Sequence, residues 1–399
     1  MNDPWDEFSR GAGRAEIAGY FESAPRPGEA YGTSLAFDRV DEVRSIERST
    51  DMASVGRAID RFLGRDRRRA VIGYLGFDAV GLFEPALRSF PSGSPFPLGE
   101  LALISRARVR RVARRRGPSF VRCLGSPGKP LSDTLPRSRY GSSVRRIVRD
   151  IRDGEAFQVV LAHRREWRRP EDLLARAGRL RSSERFAFFF YLKFGDRELV
   201  GATPESVVEI AASRAFVNPI AGTLPLGSRA GARRPLASDP KELAEHRMLV
   251  DLARNDLGRV GRAGSVRLLY QERRERFARL EHLVSRVSTR LRSDVGPWET
   301  LASTFPAGTV SGAPKIRATE ILRREEATWR GPYAGAVGVL RPGGRADWAL
   351  TIRSGFAAGR RLYSAAGAGI VHRSQPGREF DETLTKLSHV ESILTGGAQ

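Results

Sequence analysis

Glu242 and Glu245 in KELAEHRMLVDLARNDLG, and Glu379 and Glu382 in REFDETLTK, form two carboxylate pairs, each with members three residues apart. That spacing predicts that each pair lies on one face of a helix. Four such groups facing one another suit a hard divalent cation. Mg2+ takes oxygen ligands, keeps waters and leaves positions open for an anionic substrate. Either pair alone would be an ordinary feature of a helix's first turn, facing water and complementing the macrodipole. The segments around the pairs change the weighting. FPAGTVSGAPK (305–315), RGPYAGAVG (330–338), LTIRSG (350–355) and AGAGIV (366–371) concentrate glycine and small residues. Glycine lets backbone N–H groups approach an anion, and Tyr333, Arg353 and Lys386 add donors for carboxylates.

The elements that must hold these residues can be read coarsely. Ser238-Asp239-Pro240 offers an N-cap and a first-turn proline for a helix whose Leu243, Leu249, Leu252 and Leu257 supply a buried face. SSVRRIVRDIRDGEAF predicts an amphipathic helix ended by Gly154, and GAPKIRATEILRREEATW another. FQVVLAHRREW, RFAFFFYLKF, RELVGAT and the segments from Tyr333 to Val371 predict strands. Residues 1–135 read as short strands and turns, with 123–136 as the linker to a second region, 136–399.

Composition narrows the class. No run of eighteen apolar residues occurs, and the N-terminus carries acidic residues without an apolar signal core, so no membrane association and a cytoplasmic location are expected. A single cysteine, Cys123, excludes an internal disulfide and a cysteine-based zinc site. The net charge of +22 raises a polyanion-binding reading. The basic residues are dispersed, however, and only five of the 68 are lysine, which points to a general drift toward arginine and to no specific nucleic-acid partner. Three of the five, Lys241, Lys315 and Lys386, fall inside the motifs above, where a compact ammonium is needed in place of a planar fork.

From about Tyr140 onward the chain resembles the chorismate-binding enzymes, through FQVVLAHR (157–164), GATPES (201–206), PIAGT (219–223), the acidic helix, HLVSRV (282–287), FPAGT-SGAPK and AGAGIV…ETLTK. The resemblance implies an α+β fold of two large packed β-sheets with helices outside, the N-terminal part woven into one intertwined unit. It implies chorismate as substrate and Mg2+ as cofactor. Glu245 and Glu382 match the direct metal ligands, and Glu242 and Glu379 their supporting neighbours. Tyr333, Arg353, Gly367, Gly369 and Lys386 match residues that hold substrate carboxylate, with Thr223 on the substrate loop. Glu205 matches the acid for a leaving hydroxyl; His282 and Thr309 match residues of a later elimination. His246, His163, His372 and His389 receive no catalytic role.

Within the family, members that add water carry a lysine base where this chain has Gln158, so ammonia is the expected nucleophile. Ala221 and the Thr309/Ser311 pair are most similar to the large subunits of anthranilate synthases, which take ammonia from a separate glutamine amidotransferase subunit. Aminodeoxychorismate synthase component I, or an aminodeoxyisochorismate synthase, is the alternative inside the family. A polyanion-binding protein or an inactive regulatory homologue is the alternative outside it. PIAGT is followed by Leu224-Pro225-Leu226 where a basic residue is common. Such enzymes also commonly bind tryptophan through two segments that here read Tyr20-Phe21-Glu22-Ser23 and Glu184-Arg185-Phe186-Ala187-Phe188. The second lacks the asparagine and prolines of the usual pattern, so weak or absent tryptophan inhibition is expected.

Overall fold

A computed structural model describes residues 3–25, 29, 31–89, 91–113, 127–183, 186–225, 240–277 and 280–396; among these, nothing is described of the side chains of 221–225, 240–242, 276–277 and 280. Cys123, Ser238, Asp239, Glu184 and Arg185 lie outside the described residues, and so do the side chains of Thr223 and Glu242.

The N-terminal part contributes helices α1 (Pro4–Ala12), α2 (Met52–Leu63) and α3 (Val80–Phe83). Its strands are β1 (Ile17–Ser23), β2 (Tyr31–Phe37), β3 (Glu42–Ile46), β4 (Ala70–Leu75), β5 (Gly99–Ile104) and β6 (Arg108–Ala113). The expectation of strands and turns alone over residues 1–135 is therefore corrected. The sequence carried the signal for α2. Asp51 caps Ala53 and Ser54 through its carboxylate, and Met52, Val55, Ile59 and Leu63 fall on one buried face.

The rest of the chain continues with β7 (Ser132–Asp133), α4 (Arg137–Arg152), β8 (Gln158–Arg168), α5 (Leu173–Ser183), β9 (Phe188–Phe194), β10 (Arg197–Thr203), β11 (Ser206–Ala211), β12 (Arg214–Val217) and β13 (Ile220–Pro225). There follow α6 (Pro240–Gly258), β14 (Arg267–Phe277), β15 (Leu280–Arg290), α7 (Pro297–Thr304), α8 (Gly308–Ser311), β16 (Gly312–Ala313) and α9 (Lys315–Glu326). Strands β17 (Ala336–Arg341), β18 (Arg345–Leu350), β19 (Ser354–Ala358) and β20 (Arg361–Ile370) precede the last helix, α10 (Pro376–Thr395).

Two antiparallel sheets result. One runs β16-β8-β20-β19-β10-β9-β1-β2-β6 with β7 on β8; the other runs β13-β15-β12-β11-β18-β17-β4-β5-β3 with β14 on β15. Each sheet thus takes strands from both ends of the chain: β1 lies between β9 and β2, and β4 between β17 and β5. Alternation sorts the side chains. Phe21, Phe188 and Phe190 join the large core with Tyr74, Leu101, Val339 and Trp348 of the other sheet, while Tyr20, Phe189 and Tyr191 point outward against Trp5 and Phe8 of α1.

Many arginines serve this fold. Tyr20, Glu22 and Arg181 form a buried set on β1 and α5; Glu100 accepts from the Tyr74 hydroxyl and pairs with Arg197, and Glu198 accepts from the Tyr191 hydroxyl and pairs with Arg169. Bidentate guanidinium pairing suits such buried carboxylates, which gives part of the basic excess a structural use. No helix among the described residues is long and apolar enough to cross a membrane.

Candidate active site

Glu205 follows the end of β10, where its N–H faces Thr203 Oγ1 and its carbonyl accepts from Leu350 N at 3.0 Å. These contacts tie the residue to both sheets. The Thr309 hydroxyl on α8 donates to Glu205 Oε1 at 2.6 Å. Burial of the carboxyl pushes Glu205 up to about 7; the Thr309 hydrogen bond and the Lys386 charge pull it back only in part. A carboxyl in this range holds a proton near neutrality and can give it to a leaving group. Beside it lies a cavity of about 30 Å3, lined by Glu205, Asn218, Leu252, Asp256, Thr304 and Thr309, room for about one water.

Lys386 on α10 reaches toward the same place. Its Nζ donates to the Gly367 carbonyl at 2.8 Å and pairs with Glu382 Oε1, one turn back, at 2.8 Å. The Gly367 amide faces the Tyr333 phenol oxygen, and burial raises the Tyr333 pKa above its ordinary value, keeping the phenol a donor. The glycines of AGAGIV leave little room where β20 runs against β8: a Cβ at 369 would stand 2.4 Å from Gln158 Nε2 and displace that side chain, and one at 367 would press on the Leu161 carbonyl at 3.1 Å. Gln158 is buried against Gly369, and its Oε1 has no hydrogen-bond partner among the described residues.

Arg353 sits in the left-handed region, φ 53°, immediately before β19, and its carbonyl accepts from Ala202 N at 3.3 Å. Such a backbone conformation is unusual for a side chain of this size and clusters at ligand sites. His282 is buried on β15 opposite Glu275, and β13, which carries the Thr223 backbone, pairs with β15 on its other side, Ala221 opposite Leu283.

Both carboxylate pairs lie on helices, Glu242 and Glu245 on α6 and Glu379 and Glu382 on α10, so the spacing was read correctly. Helix α8 touches both α6 and β20 and so bridges the two halves of the site. Among the described residues no three His, Cys, Asp or Glu side chains converge as a metal-ligand set. The donor chemistry still fits Mg2+: the candidate side chains are all carboxylates, and Glu382 is half-exposed with Lys386 as its counter-charge.

Two supporting groups complete the surroundings: Lys315, marked in the sequence as a retained lysine, and Arg330, which the sequence did not single out. Lys315 Nζ meets Asp256 Oδ2 at 2.9 Å, both side chains buried, which accounts for a retained lysine in GAPK. Arg330 is buried, paired with Glu326, and donates to the carbonyls of Val310 and Val160 at 2.7 Å. It also stacks on Phe77 at 4.3 Å, while Asp78 accepts from the backbone of Arg330 and Gly331. One residue thereby fixes α8, β8 and the N-terminal region together. Arginine in RGPY was the available signal, and the expected role fell on Tyr333 instead.

The sequence profile of the chorismate binding enzyme family matches residues 123–392. Anthranilate synthase component 1 of Methanothermobacter thermautotrophicus is 44% identical over 266 residues, covering 66% of this chain and 57% of that one. The 2-amino-4-deoxychorismate synthase of Streptomyces globisporus is 40% identical over 277 residues, 68% of this chain and 56% of that one. Among solved structures, anthranilate synthase component I from Streptococcus pneumoniae superposes with a TM-score of 0.73 at 27% identity, over 93% of this chain and 90% of that one. The matched region thus spans little more than half the length of these two curated relatives.

Proposed function

The chain belongs to the chorismate binding enzyme family, and we propose that within it this is the chorismate-converting subunit of an anthranilate synthase. The observation that carries the choice of nucleophile is Gln158. Its amide packs on Gly369, and its buried carbonyl oxygen, without a hydrogen-bond partner among the described residues, can accept from an N–H but is too weak a base to activate water. Ammonia needs no such base. It adds at C2 of chorismate while the C4 hydroxyl departs with the Glu205 proton as water. Loss of the C2 proton and elimination of the enolpyruvyl group as pyruvate then give the aromatic ring.

The remaining residues bind and orient. Tyr333 and Arg353, with the Gly367 and Gly369 backbone and the Lys386 ammonium, hold substrate carboxylate. Thr223 lies on the substrate loop, and His282 and Thr309 serve the elimination. Glu245 and Glu382, supported by Glu242 and Glu379, would hold Mg2+, which when bound supplies a Lewis acid for the ring carboxylate. Ammonia would come from a glutamine amidotransferase partner, and the reading carries a cytoplasmic location with it.

A reaction that stops at the aminated, non-aromatic stage is the second reading, supported by the Streptomyces relative. Incubating the purified chain with chorismate, Mg2+ and ammonium and separating the products decides between them. Anthranilate with equimolar pyruvate supports the proposal. An amino-deoxychorismate without pyruvate supports the second reading, and isochorismate overturns both.

A further inference from the structure

Thr383 follows Glu382 on α10 and is fully buried on the helix's inner side. Its hydroxyl donates to the Phe380 carbonyl at 2.7 Å and stands 2.8 Å from His163 Nε2. His163, itself buried on β8, sets its other ring nitrogen 2.9 and 3.0 Å from the two Asp133 oxygens. Asp133, on β7, is fixed in turn by the Leu135 N–H at 3.0 Å and by Arg165 at 3.4 Å. Rings close the surroundings: Phe380 packs on His163 and Tyr140 at 5.2 and 5.4 Å, and Arg137 covers Phe380 at 4.8 Å while bridging to Asp381.

Carboxylate, imidazole and hydroxyl in this order resemble a hydrolytic triad, but the surroundings exclude that use. The Thr383 hydroxyl is wholly enclosed and already directs its proton to the Phe380 carbonyl, so no substrate carbon can reach it. What the row does is join three separate pieces of chain, β7, β8 and α10. The join lies within one turn of Glu379, Glu382 and Lys386.

We propose that His163 is a positioning residue, which sets the rotation and axial register of α10 and so aims Glu379, Glu382 and Lys386 at the anionic substrate and its metal. Helix geometry makes the setting consequential, because a slip by one residue moves each side chain by about 100° and 1.5 Å. The apolar packing of Phe380 and Leu384 against the core tolerates such sliding, since burial has no direction. A hydrogen bond to a ring clamped on its other side does not tolerate it. Site groups need placement to within about 0.5 Å, which apolar packing alone does not supply.

The proposal rests on the reading of Glu382 as a metal ligand, and its test separates the two. Thr383→Val removes only the hydroxyl, and His163→Gln keeps a polar side chain beside Asp133. Ser364→Ala is the control: it deletes a 2.6 Å hydrogen bond to Glu391 near the far end of α10. Mg2+ binding is measured by calorimetry, backbone hydrogen exchange over 379–386 by mass spectrometry, and stability by thermal unfolding. The expected result is Mg2+ affinity weakened about ten-fold in Thr383→Val and His163→Gln, with faster exchange over 379–386 and a loss of stability no larger than the control's. The control keeps wild-type affinity and wild-type exchange in that segment. Unchanged exchange and affinity in both variants overturn the positioning role. If the wild-type chain binds no Mg2+, the metal reading fails, and faster exchange in the variants still supports the role of His163 in holding α10.

Discussion

The Thr309 hydroxyl donates to Glu205 Oε1 across 2.6 Å, so a residue of α8 regulates the proton of a carboxyl held between the two sheets. A donor to a carboxylate favours its ionised form, and here it opposes the larger effect of burial, leaving Glu205 at about 7. If the protonated form is the working acid, kcat/KM falls as pH rises through about 7. Thr309→Val removes the donor, raises the Glu205 pKa further and moves this alkaline limb to higher pH. Glu205→Gln removes the limb together with most of the activity. A pH–rate profile of the three proteins with chorismate and ammonium checks this; an alkaline limb unmoved in Thr309→Val contradicts the assignment.

Removing either proposed metal ligand costs turnover and not fold. Glu245→Gln and Glu382→Gln are each expected to lower kcat by about two orders of magnitude or more, with unfolding curves close to wild type, since Glu382 is half-exposed and pairs with Lys386 at the surface of α10. Activity titrated against Mg2+ measures the effect. Undiminished activity in both variants removes the metal site from these helices.

Lys315 and Asp256 make the opposite kind of pair, enclosed and structural. Lys315→Met leaves a buried carboxylate without its counter-charge and should cost about 3–5 kcal/mol. Adding Asp256→Asn should restore much of that loss, because both charges are then gone. Lys315→Arg is also expected to destabilise, since a planar fork does not fit a space shaped for an ammonium. Urea unfolding of the four proteins tests the set.

Ammonium, but not glutamine, should support turnover by the isolated chain. Hydrolysing glutamine requires an activated nucleophile, and the sequence has one cysteine, Cys123, in a segment without amidotransferase character. Glutamine-dependent anthranilate formation by the purified chain alone would show that no partner is needed.

Tryptophan should inhibit weakly or not at all. The Glu22 carboxylate, in the segment expected to meet an amino-acid effector, is buried and already bonded to Tyr20 at 2.7 Å and Arg181 at 2.6 Å. An effector's ammonium would have to displace a guanidinium from a desolvated pair. Titrating tryptophan into the ammonium-dependent assay decides the matter, and strong inhibition at micromolar concentration refutes this expectation.

What the sequence disclosed and what it concealed divide along physical lines. Helix-spaced carboxylates and the strand series after Tyr333 are local patterns, and the helices α6 and α10 and the strands β17 to β20 stand where those patterns placed them. Helix α5 has no clean apolar stripe in the sequence because Arg176, Arg179 and Arg181 interrupt it, although Arg176 and Arg181 are buried in ion pairs with Asp172 and Glu22. The role of His163 was invisible for another reason. Its partner Thr383 lies 220 residues away, and a histidine in an apolar strand has no local signature that distinguishes packing from anchoring. The Asp78 contacts with Arg330 and Gly331 span even longer separations.

Strand β4 has a consequence for how the molecule comes into being. Ile72 pairs with Val339 on one side and Ala102 on the other. On a ribosome, the first third of the chain emerges with β1 and β4 each lacking a neighbour that has not yet been made. Their edges, Tyr20-Phe21 and Val71-Ile72 among them, must wait exposed until the strands that flank them leave the tunnel. Both sheets therefore close only once these late strands arrive, and an N-terminal portion standing alone would present open strand edges prone to edge-to-edge association.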